Sequence, residues 1–301
     1  MKKLLAILAA TTTLASPVLA QDAITEFRIG ILGGENAQDR MNSNECFRKY
    51  TEELLGVPTR LFAPADYNGV MQGLLGGSID LAWLGPSAYA AIYIENPEAV
   101  EPILVKVNTD GSYGYHAIGF ARADSGITSF DDMKGKKFAF GDPNSGSGYL
   151  IPRIEIEDSG FSIKPGEYFS DVVFSGGHEQ SIVGVANGDF DASVTWADAI
   201  GEWEDGYNSG ALRKAADAGI VDMNDLVQIW KSNVIPEGPI VIRKNIPERV
   251  KIEMTAMLAA LPYTDKDCAY AIQAGDALGF RPIGHDAYEV IVESRKRVAA
   301  N

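Results

Sequence analysis

Strand-like and helix-like stretches alternate along most of this 301-residue chain, and that alternation restricts the fold more than any other feature. Phe27 to Leu32, Thr59 to Phe62, Ile79 to Leu84 and Val100 to Val107 read as strands. Between them, Glu45 to Leu55, Tyr67 to Leu75 and Ser87 to Tyr93 read as helices, the first two stopped by Gly56 and Gly76-Gly77. A second set follows: strands at 117–121, 137–140, 172–174 and 192–196, with helices at 149–156 and 179–186. Such alternation implies an α/β fold with mostly parallel sheets. After Pro236-Glu237-Gly238-Pro239 there is one strand, Ile240 to Arg243, and then helices at 247–261, 266–273 and 288–299. That tail has too few strands to close a sheet alone, so it is expected to rejoin the first set. The result is two lobes: 21–110 with 240–301, and 111–239, joined by crossings near 109–116 and 232–240. In such sheets a small ligand sits in the cleft at the carboxyl ends of the strands.

The N-terminus reads as a secretory signal peptide, residues 1–20. Lys2 and Lys3 precede an apolar run from Leu4, and Val18-Leu19-Ala20 offers a cleavage site. The run is too short to span a bilayer, and no cysteine follows the site to carry a lipid. The mature chain, about 280 residues, is therefore expected to be soluble and exported, to a bacterial periplasm. Losing the two lysines takes the formal charge from −15 to −17. So acidic a chain does not suit nucleic acid or anionic lipid, although local donors can still hold an anion in a buried site. The two cysteines, Cys46 and Cys268, fall in the same expected lobe; in an oxidising compartment they form a disulfide or remain as two buried thiols.

The polar features gather at strand ends. Gly141-Asp142-Pro143-Asn144-Ser145-Gly146-Ser147-Gly148-Tyr149 lies between a strand and a helix. The first amides of a helix lack internal partners and sit at the positive end of its dipole. Glycines admit an oxyanion to the backbone, and Ser145 and Ser147 add hydroxyls. The same residues could also be an ordinary helix cap. Tyr67 opens a helix after the second strand, Tyr115 sits at the first crossing, His178 follows Ser175-Gly176-Gly177, and Asp198 follows Thr195-Trp196-Ala197. Each has a plain structural explanation alone, as packing or helix cap; together they converge on one cleft.

With these residues in view, the chain resembles the periplasmic phosphonate-, phosphite- and phosphate-binding proteins of ABC transporters. The resemblance runs along nearly the whole mature length. It is densest at Ala65-Asp66-Tyr67, Asp110-Gly111-Ser112 with Gly114-Tyr115, Gly141 to Gly148, Gly177-His178-Glu179, and Ile229-Trp230-Lys231-Ser232 with Ile235-Pro236. It implies a two-lobed periplasmic binding protein fold (type II) that closes on a phosphorus oxyanion and delivers it to permease subunits in the inner membrane, as a monomer, without cofactor or metal. Carried over residue by residue, the ligand set is Tyr67, Tyr115, Ser145, Gly146, Ser147, His178 and Asp198. Gly146 stands where the family usually has threonine, so one hydroxyl is missing. Family members that bind 2-aminoethylphosphonate carry a second carboxylate between the two prolines of the late crossing; that position falls on Gly238 here, with Glu237 beside it as the alternative, so the resemblance leaves the amine-neutralising pair incomplete. On that reading, Gly238→Asp is expected to improve binding of amine-bearing phosphonates.

Three other classes compete, one of them the extracellular sensor part of a signalling receptor that acts through a partner. An exported hydrolase of phosphate esters needs metal ions or an activated nucleophile. The chain has three histidines, His116, His178 and His285, and no H-x-H, H-E-x-x-H or G-x-S-x-G pattern; Ser145 beside His178 is its one candidate pair. A two-lobed binder of another anion, such as sulfate, is the third.

Overall fold

The structure, a computed structural model, describes residues 24–34 and 36–300, so the signal-peptide reading at 1–20 lies outside the described residues. Two six-stranded sheets form the framework. The first contains β1 (Phe27–Gly30), β2 (Thr59–Phe62), β3 (Leu81–Trp83) and β4 (Val100–Val107). The connecting helices are α1 (Ala37–Leu55), α2 (Tyr67–Gly76) and α3 (Pro86–Glu95). The chain then crosses into the second sheet with β5 (Gly114–Arg122), β6 (Lys137–Phe140), α4 (Ile151–Asp158), β7 (Asp171–Phe174), α5 (His178–Asn187) and β8 (Ala192–Ala197). This part ends with α6 (Ala211–Asp217), β9 (Leu226–Lys231) and β10 (Ile235–Pro236). The return crossing leads to β11 (Pro239–Arg243), α7 (Glu248–Thr264), α8 (Lys266–Gln273), β12 (Gly279–Pro282) and α9 (Glu289–Ala299).

The strand orders are β12-β4-β11-β3-β1-β2 and β10-β5-β8-β6-β7, with β9 also on β5. Neither sheet is mostly parallel, contrary to the reading from alternation. Each is parallel where helices link its strands, at β2-β1-β3 and β7-β6-β8. Each is antiparallel around the strands that enter or leave the lobe, β4 with β11 and β5 with β8, β9 and β10. A strand that arrives by a crossing rather than over a helix has no requirement to run parallel.

Both faces of the first sheet are covered, and the strand period of two shows it. Ile240 and Ile242 enter one core with Phe27, Ile29, Phe47, Met254 and Leu258, while Val241 enters the other with Val70, Leu74, Tyr89 and Tyr288. Cys46 on α1 and Cys268 on α8 are disulfide-bonded, with Cα atoms 5.9 Å apart. In the second sheet Ile118 and Phe120 pack beneath α5 and α6, and Phe138, Phe140 and Phe169 fill the opposite face. No helix among the described residues is long and apolar enough to cross a membrane.

Contacts across the cleft are numerous. The Glu179 amide donates to Gly34 O at 3.3 Å, and Glu179 Oε2 accepts from the Asn36 amide at 3.1 Å. Arg295 of α9 donates to Ser87 at 2.7 Å and to Asn144 at 3.2 Å, tying the tail to both lobes.

Candidate functional site

The carboxyl ends of six strands supply the site. In the first lobe Gly33 and Gly34 follow β1, Tyr67 follows β2, and Gly85-Pro86 follow β3. In the second, Ser145 and Ser147 follow β6, His178 follows β7, and Asp198 follows β8. A strand that gives way to a helix leaves its last residues facing the cleft, with the helix amides aimed the same way.

The turn after β6 is tighter than a simple helix start. The reading of a helix from Tyr149 misses a π-turn over Gly146–Leu150 that precedes α4. Ser145 caps it, its Oγ accepting from the Gly148 amide at 2.9 Å. The Ser145 amide itself donates to Asp142 O at 2.9 Å. Two of the amides expected to greet an anion are therefore taken within the turn. The donors that converge are side chains: His178 Nε2 lies 3.4 Å from Ser145 Oγ, and His178 Nδ1 lies 3.2 Å from Thr195 Oγ1. Ser147 lies beside the Tyr115 hydroxyl, where its hydroxyl and amide act to lower that phenol's pKa.

Tyr115 meets this group from β5, where it pairs with Ile235 of β10 and its ring stands edge-on to Trp196 at 6.1 Å. Burial and the nearby Glu237 charge hold its phenol well above the usual tyrosine range, so it is a neutral hydrogen-bonding group. Gly146 has a steric reason. A Cβ there would stand 2.9 Å from the Tyr115 hydroxyl and 3.2 Å from Pro86 Cγ, so the hydroxyl expected at this position has no room. Tyr67, the first residue of α2, donates its amide to Asp142 Oδ2 across the cleft at 3.4 Å. Burial raises the Asp142 carboxyl above the ordinary range.

Tyr67, Tyr115, Ser145, Ser147 and His178 all line one cavity of about 190 Å³, shared with Pro86, Trp196 and Glu237. That is smaller than the roughly 300–1,000 Å³ of drug-sized sites and suits a small solute. Arg40 and Lys214 also border it, and Arg40 donates to Ile31 O, Leu32 O and Pro64 O. Asp198 does not line this cavity. It is buried one layer behind, on a second cavity at the crossings, where its Oδ1 accepts from the Ile200 amide at 3.2 Å. Burial pushes its carboxyl up.

Lys106 escaped the sequence reading, and Glu237 entered it only as the neighbour of Gly238 that could substitute for the family's second carboxylate. Glu237 lines the cavity and accepts from the Gly238 amide at 3.0 Å. Lys106, fully buried on β4, lies 3.3 Å from Glu237 Oε2. Its signal was a lone lysine inside Ile103-Leu104-Val105-Lys106-Val107, a run otherwise built for two-sided burial. The neighbouring Gly238 is not open to an acid: a Cβ there would stand 2.1 Å from Leu84 O. The expected gain from Gly238→Asp is withdrawn, because the substitution would force the crossing apart.

The family model for the periplasmic substrate-binding protein of phosphonate ABC transporters matches residues 29–288. This chain belongs to that family. Its members are substrate-binding proteins of transporters and not enzymes. The phosphonates-binding periplasmic protein of Escherichia coli K12 is 31% identical over 245 residues, 80% of this chain and 67% of that protein. The phosphate-import protein PhnD of Mycolicibacterium smegmatis is 30% identical over 214 residues, 69% of this chain and 63% of that protein. The matches thus span about two thirds of these relatives' length. A crystal structure of a binding-protein component of a phosphonate ABC transporter from Pseudomonas aeruginosa superposes with a TM-score of 0.76 at 25% identity, covering 92% of this chain and 89% of that one.

Proposed function

We propose that this protein captures a small phosphorus oxyanion (phosphite, phosphate or a short phosphonate) between its lobes and presents it to an ABC permease in the inner membrane. The observation that carries the reading is the convergence of Ser145, Ser147 and His178 from one lobe with Tyr67 from the other and Tyr115 from the crossing strand, all on one small cavity. Hydroxyl and imidazole groups present several donors to a tetrahedral anion, and bonds to a charged acceptor are the stronger kind. Because the donors come from both lobes, ligand favours the closed form, and closure is the state a permease can read. Residues 21–110 with 240–301 form one moving lobe and 111–239 the other; strand membership in the two sheets supports this division. The mature protein works in the periplasm as a monomer once residues 1–20 are removed.

Ser145 and His178 also have the spacing of a nucleophile and its base. One feature favours binding over hydrolysis: Ser145 Oγ is engaged as the cap of its own turn, accepting from the Gly148 amide.

Calorimetry against phosphite, phosphate, methylphosphonate and sulfate tests the proposal. Saturable binding of at least one phosphorus oxyanion, tighter than sulfate, supports it. Tighter binding of sulfate, or turnover of a chromogenic phosphate ester that is lost in Ser145→Ala, would overturn it.

A further inference from the structure

The wall of the cavity behind Tyr115 holds a buried charge cluster for which an oxyanion seat has no evident need. Lys106 Nζ donates to Ser209 Oγ at 2.8 Å, lies 3.3 Å from Glu237 Oε2, and stands 5.0 Å from the centroid of the Trp196 ring. Glu237 and Trp196 both face the cavity. Asp198 is the second carboxylate of the cluster, close enough to feel the charges of Lys106 and Glu237, and its amide donates to Ser209 O at 2.9 Å. Asp198 Oδ2 and Glu237 Oε2 are buried, and neither accepts a hydrogen bond among the described residues.

Glu237, the carboxylate of the cluster that lines the cavity, would by itself repel an anion and attract any cationic tail that entered with it. The Lys106 ammonium 3.3 Å away offsets that charge and so opposes both effects. A lysine in such a place is costly unless it is paired and hydrogen-bonded, which this one is. We propose that Lys106 is a built-in cation that makes the site select phosphorus oxyanions without an ammonium group, such as methylphosphonate, over aminoalkyl phosphonates. The inference rests on the oxyanion reading above. An aminoalkyl phosphonate would bring a second ammonium to a cavity whose one lining carboxylate, Glu237, already has an ammonium beside it. The ligand's ammonium would either lose its water while sharing that carboxylate with Lys106, or have to expel a lysine with no exposed surface. Lys106 acts through Glu237 and Trp196 rather than by touching ligand, so it is a positioning residue. A merely structural role would weaken all ligands alike and leave their ranking intact.

The test compares methylphosphonate with 2-aminoethylphosphonate by calorimetry on the wild-type protein, on Lys106→Met and on Glu237→Gln. The wild type is expected to bind methylphosphonate at least tenfold more tightly. Lys106→Met is expected to move that ratio at least tenfold toward the amine, because Glu237 is released to pair with it. Glu237→Gln keeps the lysine and is expected to keep rejecting the amine. Wild-type protein that binds both ligands equally, or an unchanged ratio in Lys106→Met, overturns the inference alone. The wild-type comparison decides even if Lys106→Met does not fold. If the wild type binds neither these two ligands nor phosphite and phosphate, the oxyanion reading falls and the inference with it.

Discussion

Gly177→Ala separates lobe closure from ligand chemistry, because Gly177 donates nothing to the cavity yet touches the opposite lobe. Its φ of 168° is extended backbone that alanine adopts without strain, so the second lobe should fold unchanged. A Cβ at 177, however, would stand 2.2 Å from Gly34 Cα and 2.5 Å from Gly34 O. Non-bonded carbon atoms settle at about 3.5–4.0 Å, so the lobes must part by more than ~1 Å at that point. Two hydrogen bonds cross there, from the Glu179 amide to Gly34 O at 3.3 Å and from the Asn36 amide to Glu179 Oε2 at 3.1 Å. Net values are roughly 1 kcal/mol for a neutral bond and about 1.5–3 kcal/mol for one to a charge. Both lie near solvent, so a combined loss of about 1–2 kcal/mol is appropriate. At 1.4 kcal/mol per tenfold, affinity should fall about 5- to 30-fold. Calorimetry gives the affinity, and small-angle scattering with saturating ligand reports the closed shape. The melting temperature without ligand should stay at the wild-type value. Wild-type affinity in Gly177→Ala would refute the claim that the lobes must meet here for tight binding.

Ser147→Ala and His178→Ala should each weaken binding of the preferred oxyanion by ~1.5–3 kcal/mol, the range for hydrogen bonds to a charged group; unchanged calorimetric affinity in both would remove these residues from the site. Asp198→Asn should stabilise the ligand-free protein at pH 7. Burial raises the folded pKa of Asp198 above its unfolded value of about 3.9, so the native state binds the extra proton in that window and stability falls as pH rises through it. The gain in melting temperature should fade as pH drops towards 4, and a gain independent of pH would contradict the assignment. The disulfide closes a loop between positions 222 residues apart, so Cys46→Ala with Cys268→Ala should cost about 2–5 kcal/mol. The melting temperature should drop by roughly 5–15 °C, and no drop would mean the bridge does not constrain the unfolded chain.

Much of this architecture was legible in the sequence because local signals agreed with tertiary need. Thr59–Phe62, Val100–Val107, Lys137–Phe140 and Lys266–Gln273 have the bounds their patterns suggest. What escaped depends on partners distant in the chain. β9 and β12 are edge additions that form on β5 and β4, and α6 is seven residues that start after Gly210 at φ 153°. The serines, Tyr67 and His178 could be named because each follows a strand, and Tyr115 because it opens one at the first crossing. Asp198 also follows a strand, but Glu237 and not Asp198 reaches the cavity, since the second crossing brings it there. Nothing local says that Lys106 lies against Glu237, 131 positions away in sequence by their numbering.

A crystal structure of the complex with methylphosphonate, or with whichever phosphorus oxyanion calorimetry ranks first, is the most direct measurement. The account predicts phosphonate oxygens within hydrogen-bond distance of Ser145, Ser147, Tyr115 and His178, with Tyr67 closing from the other lobe and Lys106 still on Glu237. A ligand bound elsewhere, with these side chains still bonded to one another, would contradict it.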